Sequence, residues 1–200
     1  MVEADRLAIE SFGITLLQMM EHAGLALATL VGALAPEGRV TVLAGGGNNG
    51  GGGLCAARHL ANRGRDVEVV LSTLRLGEAA QHHLRTLHAM GIEATAVPTG
   101  DVVVDALVGY GLSGPLRGTA ADLARWALGR PTLSLDLPSG FDFAGAVIPT
   151  ATLTLALPKE AMRDVRPLYV ADLGLPAALW DRLGVGSTTL FGPGSIVEIV

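Results

Sequence analysis

Three short segments of this 200-residue chain concentrate the side chains able to do chemistry. Gly45–Gly53 reads GGGNNGGGG, Asp105–Pro115 reads DALVGYGLSGP, and Ser134–Gly140 reads SLDLPSG. The first has no Cβ outside Asn48 and Asn49, so a ligand can approach its backbone closely. Its amides face the positive end of a following helix, an arrangement that suits phosphate or another anion. Side-chain carbonyls of Asn48 and Asn49, the Asp105 carboxylate and the Ser139 hydroxyl make an all-oxygen set with little charge. Such a set favours a hard, weakly charged cation over zinc or copper. The same residues also suit plain loop building, with the amides tolerating left-handed backbone and Asp105 capping a loop amide. Asp136 stands between Leu135 and Leu137 and before Pro-Ser-Gly. Apolar flanks desolvate a carboxyl and raise its pKa, which suits a general acid or base; the alternative is a structural Asp tying up loop amides.

The familiar nucleotide motifs do not fit. Gly45, Gly47 and Gly50 match G-x-G-x-x-G, but a dinucleotide dehydrogenase also needs an acid after the next strand, where Leu71-Ser72-Thr73 has none. A P-loop needs Gly-Lys-Ser/Thr, and Gly50-Gly51-Gly52 supplies neither the lysine nor the hydroxyl. His82, His83 and His88 lack the i, i+4 spacing of a zinc pair and read as a solvated helix face. Glu21 and His22 read the same way. Cys55 has no identifiable base and reads as a small core residue. Lys159, the one lysine, either reaches a phosphate or is solvated. A hydrolase using Asp136 lacks a nucleophile–base pair.

The elements that must position these residues follow from periodicity. Residues 2–33 carry apolar positions at helical spacing, broken at Gly13, with Thr15 starting a second helix. Strands are expected at Arg39–Ala44, Val67–Leu71, Val102–Val108, Thr132–Leu135 and Ala151–Leu157. Pro167–Asp172 and Ser187–Phe191 read as late edge strands, and Ala94–Pro98 as a short apolar piece. Helices are expected at Leu54–Asn62, Gly77–Met90 and Thr119–Leu128. Alternating strands and helices predict an α/β fold, and ligands then lie beyond the carboxyl ends of the strands. Half the residues are hydrophobic and 16% are charged, so one domain over residues 1–200 with a sizeable core is expected. A net charge of −5 without a basic block argues against nucleic acid. Neither a membrane span nor a signal peptide is evident. The single cysteine excludes an internal disulfide and suits a reducing cytoplasm.

Taken in order, the motifs resemble those of the YjeF N-terminal family, the NAD(P)H-hydrate epimerases. Met20-Glu21-His22-Ala23-Gly24 stands where the family has Glu-Asn-Ala-Gly, and Gly45–Leu54 where it has G-P-G-N-N-G-G-D-G-L. Asp105–Pro115 and Ser134–Gly140 look like its D-A-L-F-G-x-G-L-x-G-P and S-[LIV]-D-[ILV]-P-S-G. Pro158-Lys159 and Tyr169–Pro176 look like its closing signatures. The resemblance implies a Rossmann-like three-layer αβα sandwich with a mostly parallel sheet and no fused dehydratase domain. It implies a potassium ion on Asn49, Asp105 and Ser139. The substrate, NADH or NADPH hydrated on the reduced ring (NADHX or NADPHX), would lie along Asn48, Asn49, Gly50, Gly51 and Gly52. It would continue along Gly109, Tyr110, Gly111, Leu112, Ser113, Gly114 and Pro115, with Asp136 at the nicotinamide end as general acid/base. A separate ADP/ATP-dependent hydrate dehydratase is the implied pathway partner, and the apolar N-terminal helices suit a homodimer. Three positions depart from the family pattern: Gly52 for Asp, Gly46 for Pro and His22 for Asn. A catalytically silent ligand-binding or interaction scaffold is therefore the alternative, since this fold also serves as a scaffold in an mRNA-decapping protein family.

Overall fold

The computed structural model describes residues 2–185, 191–192 and 194–200. Helices α1 (Val2–Phe12) and α2 (Leu16–Leu34) open the chain. Thr15 caps α2 reciprocally: Gln18 N–H donates to Thr15 Oγ1 (3.3 Å) and Thr15 N–H donates to Gln18 Oε1 (2.8 Å). By length and composition α2 is apolar enough to cross a membrane. Its apolar residues have a nearer use, because Met19, Met20, Leu27, Leu30 and Val31 are buried in the fold.

There follow β1 (Val40–Ala44), α3 (Asn48–Asn62), β2 (Val67–Leu71), α4 (Glu78–Ala89) and β3 (Ala94–Thr95). Next come β4 (Val102–Ala106), α5 (Gly118–Ala127), β5 (Thr132–Leu135), β6 (Ala151–Leu155), β7 (Leu168–Ala171), α6 (Ala177–Arg182) and β8 (Ile196–Ile199). Among the described residues the strands form one sheet in the order β3-β2-β1-β4-β5-β6-β7-β8. Every pairing is parallel except β7–β8. Alternation along the strands builds the layers. Val42, Val104 and Leu135 pack with Leu27, Leu54 and Leu60 of α2 and α3, whereas Leu43, Val70 and Val103 pack with Leu123 and Ala124 of α5. The result is the expected αβα sandwich.

Three expectations need correction. The glycine run is not a loop up to Leu54, because α3 begins at Asn48, six residues before the expected start. A Cβ on Gly50 would lie 1.9 Å from Gly45 O, and one on Gly53 would lie 2.4 Å from Ala106 Cβ. These glycines let the first helical turns press onto the sheet, and that contact offsets a helix cost of about 0.5–1 kcal/mol per glycine. Secondly, β7 lies inside the sheet, because β8, which sequence patterning did not reveal, pairs along its outer side. Thirdly, of the strand expected at Ser187–Phe191, residues 187–190 fall outside the described residues, and Phe191 is not in a strand.

Candidate active site

The three chemistry-bearing segments leave the carboxyl ends of β1, β4 and β5, which are neighbours in the sheet. Register places Leu43 beside Asp105 and Asp105 beside Ser134, so the segments emerge together. Between them lies a cavity of about 610 Å³. Asn48, Asn49, Gly52, Gly109, Gly111 and Asp136 line it, with Tyr110 at its mouth, 63% exposed. Ser72 and Thr73 form one side, and Met19, Met20 and Ala23 of α2 cover it. Gly50 and Gly51 are not part of the lining; a Cβ on Gly50 would meet Gly45, and one on Gly51 would meet Met20. Leu112, Ser113, Gly114 and Pro115 also lie outside it.

Asp105 is fully buried. Its carboxylate accepts from Ser139 Oγ (2.6 Å), Ser139 N (2.8 Å), Ser134 Oγ (2.8 Å) and Leu107 N (3.3 Å). Burial pushes this carboxyl up, against the pull of those hydrogen bonds. Every donor is neutral, and among the described residues no basic side chain forms an ion pair with it. Ser139 Oγ also accepts from Val108 N (2.9 Å). The Asn49 amide is best assigned with its nitrogen donating to Leu135 O (3.2 Å) and its oxygen accepting from Gly109 N (3.3 Å). A buried carboxylate held only by neutral groups and bordered by hydroxyl and carbonyl oxygens suits one weakly charged cation.

Asp136 follows β5 directly and has φ +68°, in the left-handed region. That conformation costs a non-glycine residue about 1–3 kcal/mol and is kept where surrounding structure dictates it. Here Asp136 N–H donates to Leu153 O (2.7 Å), and Lys159 Nζ donates to Asp136 Oδ1 and to Thr154 Oγ1 (2.8 Å). The other carboxylate oxygen, Oδ2, lies 3.1 Å from where a Gly109 Cβ would stand, and the Asn49 amide is equally close to that point. Gly109 is therefore a glycine because two site side chains occupy the space of a side chain.

The expectation of a carboxyl flanked by apolar residues is completed by the structure: the Lys159 ammonium lies against Asp136. Lys159 is neither solvated nor free, being 10% exposed in this ion pair. Its signal in the sequence was its place just after β6, the strand beside β5. Asp5 of α1 also lines the cavity and was not anticipated, since its spacing resembles that of any helix-surface acid.

Away from the cavity, Cys55 is buried and its thiol is pushed up to about 12 by burial and by the nearby Glu21 carboxylate, so it is the core residue expected. Glu21 is not simply solvated, because it pairs with Arg58 and with His59 (3.2 Å). His22 is exposed as expected. His83 is buried, contrary to the solvated face expected, and its Nε2 has no hydrogen-bond partner among the described residues.

Residues 16–161 match the family described as YjeF-related protein N-terminus. The chain belongs to this family. An NAD(P)H-hydrate epimerase of Dehalogenimonas lykanthroporepellens is 43% identical over 92% of this chain and 84% of its own length. One from Rhodopirellula baltica is 36% identical over 92% and 85%. A relative in Salinibacter ruber, named bifunctional NAD(P)H-hydrate repair enzyme Nnr, is 35% identical over 91% of this chain and 41% of its own length. The crystal structure of the yeast protein YNL200c superposes with a TM-score of 0.84, covering 99% of this chain and 96% of that one at 24% identity, a likeness of fold.

Proposed function

We propose that this YjeF-type domain is an NAD(P)H-hydrate epimerase, interconverting the R and S epimers of hydrated NADH and NADPH. The observation that carries the reading is Asp136: one carboxylate oxygen is clamped by Lys159 and the other is turned toward Gly109 at the floor of the cavity. The substrate's epimeric carbon bears a hydroxyl beside the ring nitrogen. Protonating that hydroxyl lets it leave as water, and the nitrogen lone pair forms an iminium-like cation. Water then adds to either face and gives up a proton. A carboxyl serves each proton transfer, and its anionic form steadies the cation between them. No hydride moves, in agreement with the absence of an acid after β2.

The Asn48 side chain and the amides of Asn48 and Asn49, at the start of α3, would meet the substrate phosphates, and Gly109–Gly111 would pass beside them. Asn49, Asp105 and Ser139 would hold potassium. When bound, the ion would neutralise the buried Asp105 charge and bring positive charge toward those phosphates. Exposed Ile9 and Leu34 on the N-terminal helices support a homodimer. A separate dehydratase acting on the S epimer would complete the repair.

The test is the R-to-S rate followed by chromatography, against spontaneous epimerisation, with potassium and with potassium removed. Potassium-sensitive acceleration lost in Asp136→Ala is the expected result. A background rate from folded protein would move the reading to a silent binding scaffold.

A further inference from the structure

We infer that Asp5 is a second proton-transfer group of this cavity, working with Asp136 on the other side of the epimeric carbon. The inference rests on the epimerase reading and deepens it. Epimerisation requires that oxygen leave from one face of the ring and return on the other, so protons must move on both faces. Asp136 cannot swing between them. Its backbone is held by Leu153, its Oδ1 by Lys159, and its Oδ2 alone remains for the substrate.

Asp5 and Asp136 are the two acids among the cavity-lining residues, and Gly52 adds no third. They arrive from different parts of the fold, Asp136 from the end of β5 and Asp5 from α1, whose Ala4 and Ala8 pack with Met19 and Leu173. Asp5 is half-buried. Among the described residues no hydrogen bond engages its carboxyl, in contrast to the clamped Asp136. Burial pushes Asp5 up, the Asp136 charge adds to this, and Lys159 opposes it. Two carboxyls lining one cavity in unlike settings, one bare and one ion-paired, are placed to share the proton transfers.

The step balances as follows. Asp5 gives its proton to the hydroxyl oxygen, the carbon–oxygen bond breaks with its electron pair on the departing water, and the ring nitrogen's lone pair forms the iminium bond. On the other face a water oxygen bonds to the same carbon, returns that pair to nitrogen, and passes its proton to the Asp136 carboxylate. One proton has then moved from Asp5 to Asp136, and exchange with solvent resets the pair. The reverse reaction exchanges the roles.

The experiment uses the full chain carrying Asp5→Asn or Asp5→Glu, with both NADHX epimers in H₂¹⁸O. Epimerisation and incorporation of ¹⁸O into unepimerised substrate are followed together, and a thermal melt checks the fold. With Asp5 replaced by Asn, water can still leave and return on the Asp136 face. Epimerisation is expected to fall about 100-fold, exchange with retention to persist, and Asp5→Glu to recover part of the loss. Wild-type epimerisation in Asp5→Asn would overturn the inference. So would equal loss of exchange and epimerisation in the folded variant, or a rise in KM with kcat unchanged. Wild-type protein at the background rate would instead overturn the epimerase reading itself.

Discussion

Two carboxylates are buried in this sheet, one near each end, and they behave in opposite ways. Glu68, near the start of β2, is 3% exposed and accepts from Thr41 Oγ1, Thr99 Oγ1 (2.8 Å) and the amides of Thr99 and Gly100, with Arg39 at 3.6 Å. Burial pushes Glu68 up, but these hydrogen bonds outweigh it and hold the carboxyl below its usual range. Asp105, near the end of β4, also has four donors, yet burial wins and its carboxyl is pushed up. A hydrogen-bonded acid beside an arginine is a finished structural clasp, fastening the 99–100 loop under the sheet. An equally hydrogen-bonded acid with no ion-pair partner among the described residues is unfinished electrostatically, and it lies at the carboxyl end of the sheet. The carboxyl end of this sheet is thus the working end, and the amino end is the structural one.

The sharpest test of that division is Asp136→Asn. Asparagine tolerates the left-handed backbone, so the fold should survive even with the Lys159 charge left uncompensated, while epimerisation falls about 10²–10⁴-fold. A large loss of stability with little loss of rate would erase the distinction between the two ends. Next in size is potassium. Adding it at about 100 times its Kd should raise stability by about 2.7 kcal/mol, read by urea titration in potassium against a bulky organic cation. Asp105→Asn should lose the dependence, and an unchanged response in that variant would place the ion elsewhere.

Glu68→Gln should do the reverse of Asp136→Asn, losing about 1–3 kcal/mol in urea unfolding with kcat unaltered. Impaired catalysis there would mean that the clasp reaches the site. The smallest effect concerns His83, whose pKa is lowered from 6.5, burial being the main cause. It takes up a proton less readily in the fold than when unfolded, so stability should decline as pH falls through and below 6.5, by at most about 1.4 kcal/mol per unit. Comparing thermal melts of wild type and His83→Met between pH 7.5 and 5.5 isolates this contribution; equal slopes would count against it.

Much of the working end was legible in the sequence because its signals are local. A glycine run after an apolar strand, an acid between leucines and a serine after proline each name their chemistry within a few residues. The helix start at Asn48 was misread because four glycines argue against a helix by propensity. What overrides propensity is contact with Gly45 and Ala106, and only tertiary packing provides it. β8 was missed because Ile196–Ile199 is a short, partly exposed segment whose pairing partner is the only sign of its role.

The sequence by itself determined the α/β class, the parallel sheet, the segments at its carboxyl end and the family, since strand-helix periodicity and residue type act over short range. The tertiary structure alone decided which charges meet. It brought Lys159 onto Asp136 and Asp5 into the same cavity, left Asp105 without an ion-pair partner among the described residues, and gave Glu68 one in Arg39. Coulombic and desolvation energies depend on distance and burial through space, and neither is written in the spacing of residues along a chain.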